Sequence, residues 1–225
     1  MRGEWLHRGG SSSCLIFFAG WGMDPHPFRP LVTGRQDIHM VWDYRQVEEF
    51  DLRPFHAYSR LHLLAWSMGV YVSCLLLSDN TDLLHSAVAV NGTPTPIHDR
   101  LGIPVAAYEE MSGNLNREMV LDFYRDMFPE AGAEREMFMS RPPRRSLESL
   151  RTELLALSRL YQHRGPGRDI FTRHIVGSRD TVFPARNQLR CWQRERCRVI
   201  RAGHLPFFSP ALPEGMDPFM PDSWQ

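Results

Sequence analysis

The sequence contains no lysine. Arginine supplies all 26 basic residues, and 26 acidic residues balance them, so the formal net charge is zero. A balanced charge argues against a protein that binds polyanions nonspecifically, and no recognition motif for DNA or RNA is present. The sequence therefore does not predict nucleic acid as a partner.

Cysteine and long apolar runs are also scarce. The four cysteines lack zinc-like spacing, and Cys14 and Cys74 lie in apolar runs, where free thiols commonly pack as small hydrophobic groups. The apolar run from Leu15 to Ala19 is too short for a secretory signal or a membrane span. We therefore expect a cytoplasmic protein without a membrane segment. Its length predicts one domain, residues 1–225.

Short apolar runs separated by turns or helical stretches fill the first 90 residues. They predict buried parallel strands near residues 14–19, 38–42, 61–66 and 87–90. Apolar positions after Ser67 predict a helix that ends before residue 78. The same pattern returns late in the chain, with a strand predicted within residues 170–180, a helix around 185–193 and a short strand near 196–200. This alternation predicts an α/β fold with an open, mostly parallel sheet flanked by helices.

The middle of the chain, about residues 95–167, has a different pattern. Residues 116–128 and 146–161 each place apolar side chains on one helical stripe, and prolines and glycines bound the segment. We expect a small helical cap inserted into the α/β domain.

Residues 65–69, Ala-Trp-Ser-Met-Gly, match the pattern G-x-S-x-G of a nucleophile elbow, with alanine in the first small position. In an elbow the serine occupies a strained turn between a strand and a helix, and small neighbours are needed because space is limited. Ser67 is therefore a candidate nucleophile. The pentad also occurs by chance, and the alternative is a serine packed in an ordinary turn.

Two later residues have the order expected for the partners of such a serine. Asp180 lies just beyond the apolar pair Ile175-Val176, and His204 lies just beyond Val199-Ile200 of the last predicted strand. Serine needs a base to accept its proton, and the base needs a carboxylate to orient it. Both residues should emerge at the carboxyl edge of the sheet with Ser67. Alone, Asp180 would be read as a turn carboxylate and His204 as a loop imidazole.

A glycine-rich turn, Gly20-Trp21-Gly22, follows the first strong strand. Backbone N–H groups in such a turn can approach a substrate oxygen without steric hindrance. We expect the N–H groups of Trp21 and Met68 to form an oxyanion hole. The alternative is a glycine turn that packs an aromatic ring.

At these residues the chain resembles the α/β-hydrolase superfamily and, more closely, the pimeloyl-acyl-carrier-protein methyl ester esterases of biotin synthesis, in the short form called BioG. The resemblance lies in "FFAGWGMDPHPF" at 17–28, "VWDYR" at 41–45, "LLAWSMGVYVS" at 63–73, "AVNGTPTPI" at 89–97, "HIVGSRDTVFP" at 174–184 and "GHLPFF" at 203–208. It implies hydrolysis of the methyl ester on a pimeloyl chain carried by acyl carrier protein. The implied triad is Ser67, His204 and Asp180, with no metal or other cofactor.

The resemblance also implies an acyl-binding wall and a carrier-protein surface. A tryptophan of the related longer esterase lines its site and corresponds to Trp21, while Phe123 and Phe128 are candidates for an acyl tunnel or, alternatively, plain core. Acyl carrier proteins are acidic, so a basic cluster in the cap is a candidate docking surface: Arg141, Arg144, Arg145, Arg151 and Arg159. The alternative is a solvated helix face.

Two other functions remain open on the sequence. A general short-chain carboxylesterase or a thioesterase would retain the same triad and differ only in substrate. A hydrolase-fold protein that binds a ligand without turnover would usually have lost a triad residue, whereas all three candidates are present here.

Overall fold

The computed structural model describes residues 1–208 and residue 219. Within them, seven strands form one sheet in the order β1-β3-β2-β4-β5-β6-β7. β1 runs antiparallel to β3, and every other neighbouring pair is parallel. The strands are β1 Arg2–His7, β2 Ser13–Phe18, β3 Asp37–Trp42, β4 Arg60–Trp66, β5 Ser86–Val90, β6 Arg173–Gly177 and β7 Cys197–Ile200.

Six α-helices accompany the sheet in the described part of the chain: α1 Met68–Leu77, α2 Val105–Asn114, α3 Arg117–Asp126, α4 Ala133–Ser140, α5 Leu147–Arg164 and α6 Ala185–Trp192. Helices α2 to α5 all lie between β5 and β6 in the chain, and we call them the four-helix segment. None of the described helices is both long and apolar enough to cross a membrane.

The core is densest around β2 and β4, the central strands. Residues 14–18 and 61–66 are buried throughout, which explains why both strands are continuous apolar runs rather than alternating ones. Helix α1 packs closely against β2. A Cβ atom on Gly69 would lie 2.3 Å from the Phe18 carbonyl oxygen, so a larger residue would push the helix away from the strand.

The mostly parallel α/β sheet predicted from the sequence is confirmed. Each of the four strands predicted in the first 90 residues begins one residue before its predicted apolar run: β2, β3, β4 and β5. The sequence pattern missed β1, which has few apolar residues and pairs at the sheet edge, and it missed α2 and α4. The predicted domain extends to residue 225, and residues 209–218 and 220–225 lie outside the described residues.

Candidate active site

Ser67 occupies the single residue between β4 and α1. Its backbone has φ 58° and ψ −129°, an unfavourable conformation for any residue with a side chain. The turn is held from behind, because Ser67 N–H donates to the Val90 carbonyl oxygen at 3.0 Å. A Cβ atom on Gly92 would lie 2.4 Å from the Ser67 carbonyl oxygen. The predicted strained turn is therefore present, and tight packing maintains its strain.

Three side chains that are far apart in sequence meet at this turn. His204 Nε2 lies 2.9 Å from Ser67 Oγ, and His204 Nδ1 lies 3.1 and 3.0 Å from the two carboxylate oxygens of Asp180. All three residues are buried. Asp180 follows β6 and His204 follows β7, so both come from the carboxyl edge of the sheet.

The carboxylate of Asp180 is fixed by three further donors. Its Oδ1 atom accepts the N–H groups of Val182 and Phe183, both at 2.9 Å. Its Oδ2 atom accepts from Gln188 Nε2, also at 2.9 Å. The ring of Phe183 stacks on the imidazole of His204 with an interplanar angle of 7°. Sequence reasoning did not predict Gln188, since nothing in its helix indicates this contact.

The loop that carries His204 has its own support. Asn91 Nδ2 donates to the carbonyl oxygens of Gly203 and His204 at 2.8 and 3.0 Å, and its Oδ1 atom accepts from Gly177 N–H at 2.6 Å. Asn91 has a positive φ of 46° directly after β5. Its place at the end of a parallel strand was the available signal, and the sequence analysis did not use it.

The glycine turn after β2 lies directly beside the serine. A Cβ atom on Gly20 would lie 3.0 Å from Ser67 Cβ, so only glycine leaves the turn this close. Met68 N–H lies at the start of α1, where unpaired helix N–H groups face outward. Among the described residues, neither the N–H of Trp21 nor that of Met68 donates to another group.

A cavity of about 470 Å³ opens onto Ser67. Trp21 and Met68 line it beside the serine, and Phe123 lines it from α3. The rest of its wall is mainly apolar and comes from α2 and the residues just before it, α3, α5 and the segment after β6: Ile103, Pro104, Ala107, Tyr108, Met111, Met119, Leu154, Val182 and Pro184. Its polar members are Asp122, Asp126 and Thr181. Such a lining favours an uncharged chain over a charged one.

Phe128 does not line this cavity. Helix α3 ends at Asp126, so Phe128 leaves the helical stripe that predicted it as a tunnel residue. Its ring is buried against Phe138 and Phe208, with centroids 5.6 and 6.3 Å away. The structure thus supports the alternative reading of Phe128 as core and corrects the assignment to the acyl tunnel.

Arg145 is not a surface residue either. Only 5% of its side chain is exposed, and its Nη2 atom lies 3.1 Å from both Asp43 Oδ1 and Glu153 Oε2. An arginine buried between two carboxylates is not available to a carrier protein, so its predicted docking role is wrong. The other four candidates are exposed: Arg141, Arg144, Arg151 and Arg159.

No group of three or more His, Cys, Asp or Glu side chains in residues 1–208 and 219 is arranged to hold a metal ion.

Comparison with known proteins identifies the family. The model of the family described as pimeloyl-ACP methyl esterase BioG matches residues 1–211. The chain belongs to the BioG family. The crystal structure of BioG from Haemophilus influenzae superposes with a TM-score of 0.79 at 31% identity, covering 91% of this chain and 94% of that one. The resemblance seen in the sequence is thereby confirmed.

Two further comparisons give a relative in sequence and a neighbour in structure. The malonyl-[acyl-carrier protein] O-methyltransferase of Bacteroides fragilis is 35% identical over 204 residues, which are 91% of this chain and 41% of that protein. The chain spans about two fifths of that relative's length. A putative aryl esterase from Burkholderia cenocepacia has a TM-score of 0.61 at 15% identity, covering 92% of this chain and 88% of that one. This likeness shows the α/β-hydrolase fold alone.

Proposed function

We propose that the protein is a serine esterase that hydrolyses the methyl ester of a pimeloyl chain carried on acyl carrier protein. The observation that carries the proposal is the continuous contact from Ser67 Oγ through His204 to Asp180, at the end of a mainly apolar cavity. Membership in the BioG family supports the ester and its carrier.

The contacts assign a different role to each ring nitrogen of His204. The ionised carboxylate of Asp180 only accepts hydrogen bonds, so His204 Nδ1 carries the proton. Its Nε2 atom is then free to accept the hydroxyl proton of Ser67 at 2.9 Å. In this tautomer the imidazole acts as the general base, and Asp180 orients it and stabilises the imidazolium that forms.

Hydrolysis then proceeds in two halves. Ser67 Oγ attacks the ester carbonyl while His204 takes the proton, and His204 returns that proton to the departing methoxide, which leaves as methanol. His204 next deprotonates a water that attacks the acyl-serine, and collapse of the intermediate returns that proton from His204 to Ser67 Oγ and releases the carboxylic acid, which ionises to the carboxylate. In each half, the N–H groups of Trp21 and Met68 stabilise the negative charge on the carbonyl oxygen.

The cavity suits a substrate that enters with its esterified end first. The methyl ester is neutral, and an apolar wall that includes Trp21 and Phe123 accepts it without the desolvation penalty of a free carboxylate. Once hydrolysed, the chain end is charged and is disfavoured there, which promotes release of the product.

The proposed partner is the acidic acyl carrier protein. Arg141 and Arg144 are exposed on the loop between α4 and α5. That loop is fixed close to the Trp21 turn, because Arg144 N–H donates to Asp24 Oδ2 at 2.6 Å. Exposed arginines on a fixed loop would steer an acidic partner towards the cavity. We also assign the reaction to the cytoplasm, since the four cysteines are free thiols.

The test is incubation of the purified protein with pimeloyl-acyl-carrier-protein methyl ester, with Ser67→Ala alongside, followed by mass spectrometry of the carrier. The expected result is loss of one methylene mass with the wild type and none with the variant. Serine-dependent cleavage of short p-nitrophenyl esters without methyl loss would refute the proposed substrate. Release of the whole acyl chain from the carrier would identify a thioesterase instead.

A further inference from the structure

Glu153 is completely buried on α5, and the triad makes no use of it. A carboxylate is costly to bury unless ion pairs and hydrogen bonds compensate for the lost water. It lies in the four-helix segment and faces the turns that follow β2 and β3.

The partners of Glu153 belong to those two turns. Its Oε1 atom accepts Tyr44 N–H at 2.8 Å, and its Oε2 atom accepts Gly22 N–H at 3.4 Å. Arg145 Nη2 lies 3.1 Å from Oε2 and equally close to Asp43. Two backbone N–H groups and one guanidinium thus compensate the buried charge.

Gly22 directly follows Trp21, whose N–H is one of the two proposed oxyanion donors. The other end of the same turn is held through Tyr44, because its hydroxyl donates to the Ala19 carbonyl oxygen at 2.7 Å. Glu153 therefore acts on the turn in two ways. It contacts Gly22 directly, and it contacts Tyr44, whose hydroxyl holds Ala19.

Two more hydrogen bonds connect this turn to the four-helix segment. Trp21 Nε1 donates to the carbonyl oxygen of Leu150, one helical turn before Glu153 on α5, at 3.0 Å. Tyr124 Oη donates to the Gly22 carbonyl oxygen at 3.0 Å. Because Gly22 has a φ of 78°, its peptide planes depend on these outside contacts for their orientation.

We propose that Glu153 is a positioning residue, which holds the Gly20-Trp21-Gly22 turn so that the N–H of Trp21 points to the developing oxyanion. The inference rests on the proposed function, since it assigns the Trp21 N–H a role in ester hydrolysis. It gives a helix of the four-helix segment a part in the chemistry beyond enclosing the acyl chain.

The test is Glu153→Gln, which preserves side-chain volume and one carbonyl acceptor and removes the charge and the second acceptor. An N–H group pointing only at a transition state affects kcat rather than substrate binding. We expect kcat for p-nitrophenyl butyrate to fall about tenfold to hundredfold, with KM within about twofold of wild type. Affinity for a trifluoromethyl ketone, which forms an oxyanion on Ser67, should fall by a similar factor.

A matched control is Asp37→Asn. Asp37 is also a buried carboxylate that accepts a backbone N–H, from Gly9 at 2.7 Å, but it lies at the start of β3, at the opposite edge of the sheet. It should leave kcat and ketone affinity unchanged. If both variants lose kcat equally, or if Glu153→Gln changes only KM, the positioning role is refuted.

A second variant covers a failure of Glu153→Gln to fold. Glu153→Asp keeps the charge beside Arg145 but shortens the side chain by one methylene, which withdraws the carboxylate from the N–H groups of Gly22 and Tyr44. It should give the same selective loss of kcat and ketone affinity, and unchanged values would refute the proposal. The proposed substrate is tested separately. Wild-type cleavage of p-nitrophenyl butyrate without methyl loss from the carrier would refute the carrier-bound ester as substrate. The affinity for the ketone would still decide whether Glu153 positions the turn.

Discussion

Trp66 Nε1 donates a hydrogen bond to the carbonyl oxygen of His204 at 2.7 Å. Trp66 is the residue immediately before Ser67, so the strand that carries the candidate nucleophile is bonded directly to the loop that carries the candidate base. Their ring centroids are 5.2 Å apart. The contact between Ser67 and His204 is thus supported by the hydrogen bond of the neighbouring Trp66 side chain as well as by their own.

Replacing Asp180 with asparagine should lower kcat by about 10³- to 10⁴-fold, because an amide that donates to His204 Nδ1 would stabilise the wrong tautomer. Hydrolysis of p-nitrophenyl butyrate measures the loss. Asp169→Asn is the matched control, since Asp169 lies 3.2 Å from Nε2 of the buried His174 without a serine beyond it. Near wild-type turnover by Asp180→Asn would refute the proposed orienting role.

Replacing Ser67 should reveal the strain of its turn. Ser67→Ala and Ser67→Gly should both be inactive. We expect the free energy of unfolding of the glycine variant to exceed that of the alanine variant by about 1 kcal/mol, since glycine tolerates this backbone conformation. Urea unfolding measures the difference. At Ser73, within α1, the order should be the reverse: Ser73→Gly should be less stable than Ser73→Ala by about 1 kcal/mol, because glycine disfavours a regular helix. The same order at both sites would contradict the strain.

The stability of the fold should depend on the ionisation of Glu153. Burial raises its pKa from 4.5 to about 6, and nearby Arg145 opposes the rise. The folded protein therefore binds this proton more tightly than the unfolded chain, so Glu153 destabilises the fold above pH 6 and this penalty disappears as the pH falls to 4.5. Asp43 also faces Glu153, but its pKa is lowered by hydrogen bonding and by nearby arginines despite its burial, so it titrates below this window.

The measurement for this dependence is urea unfolding of wild type and Glu153→Gln between pH 7 and pH 4.5. The difference in unfolding free energy should shift in favour of the wild type by about 2 kcal/mol as the pH falls across this range. Groups common to both proteins cancel in the difference. If the difference in unfolding free energy does not change with pH, folding does not raise the pKa of Glu153.

Reversing charge at Arg141 and Arg144 together, to glutamate, should raise KM for the carrier-bound ester by roughly tenfold, since an acidic carrier would then be repelled. Turnover of p-nitrophenyl butyrate should not change. Arg60→Glu is the control, because Arg60 is exposed at the start of β4, away from the carboxyl edge of the sheet. Equal losses on both substrates would refute carrier docking at this loop.

The candidate triad could be predicted from the sequence because each member follows the end of a strand that its apolar run makes recognisable. In a parallel sheet those ends share one edge, so sequence order alone brings Ser67, Asp180 and His204 together. The supports of the triad could not be predicted in the same way. Asn91 and Gln188 act through side-chain hydrogen bonds, and the sequence pattern does not show which groups their side chains contact.

Arg145 shows the limit of charge patterns. Arg144 and Arg145 are adjacent in a basic run, yet one is exposed and the other is buried. The difference arises because the Arg145 side chain lies between Asp43, directly after β3, and Glu153, on α5. These two carboxylates supply the compensating charges. That contact joins residues about a hundred positions apart, so the sequence pattern treated both arginines as surface groups.

Ser67 and His204 are 137 positions apart in the sequence, and this separation has a consequence for how the protein acquires activity. The candidate nucleophile and its strained turn belong to the first third of the chain, whereas the candidate base comes after β7, the last strand among the described residues. During synthesis the serine emerges from the ribosome long before its base, so the nascent chain cannot hydrolyse esters until the sheet is complete. On refolding, hydrolysis should return no earlier than the docking of β7, because His204 follows that strand, so the recovery of ester hydrolysis should report on that docking.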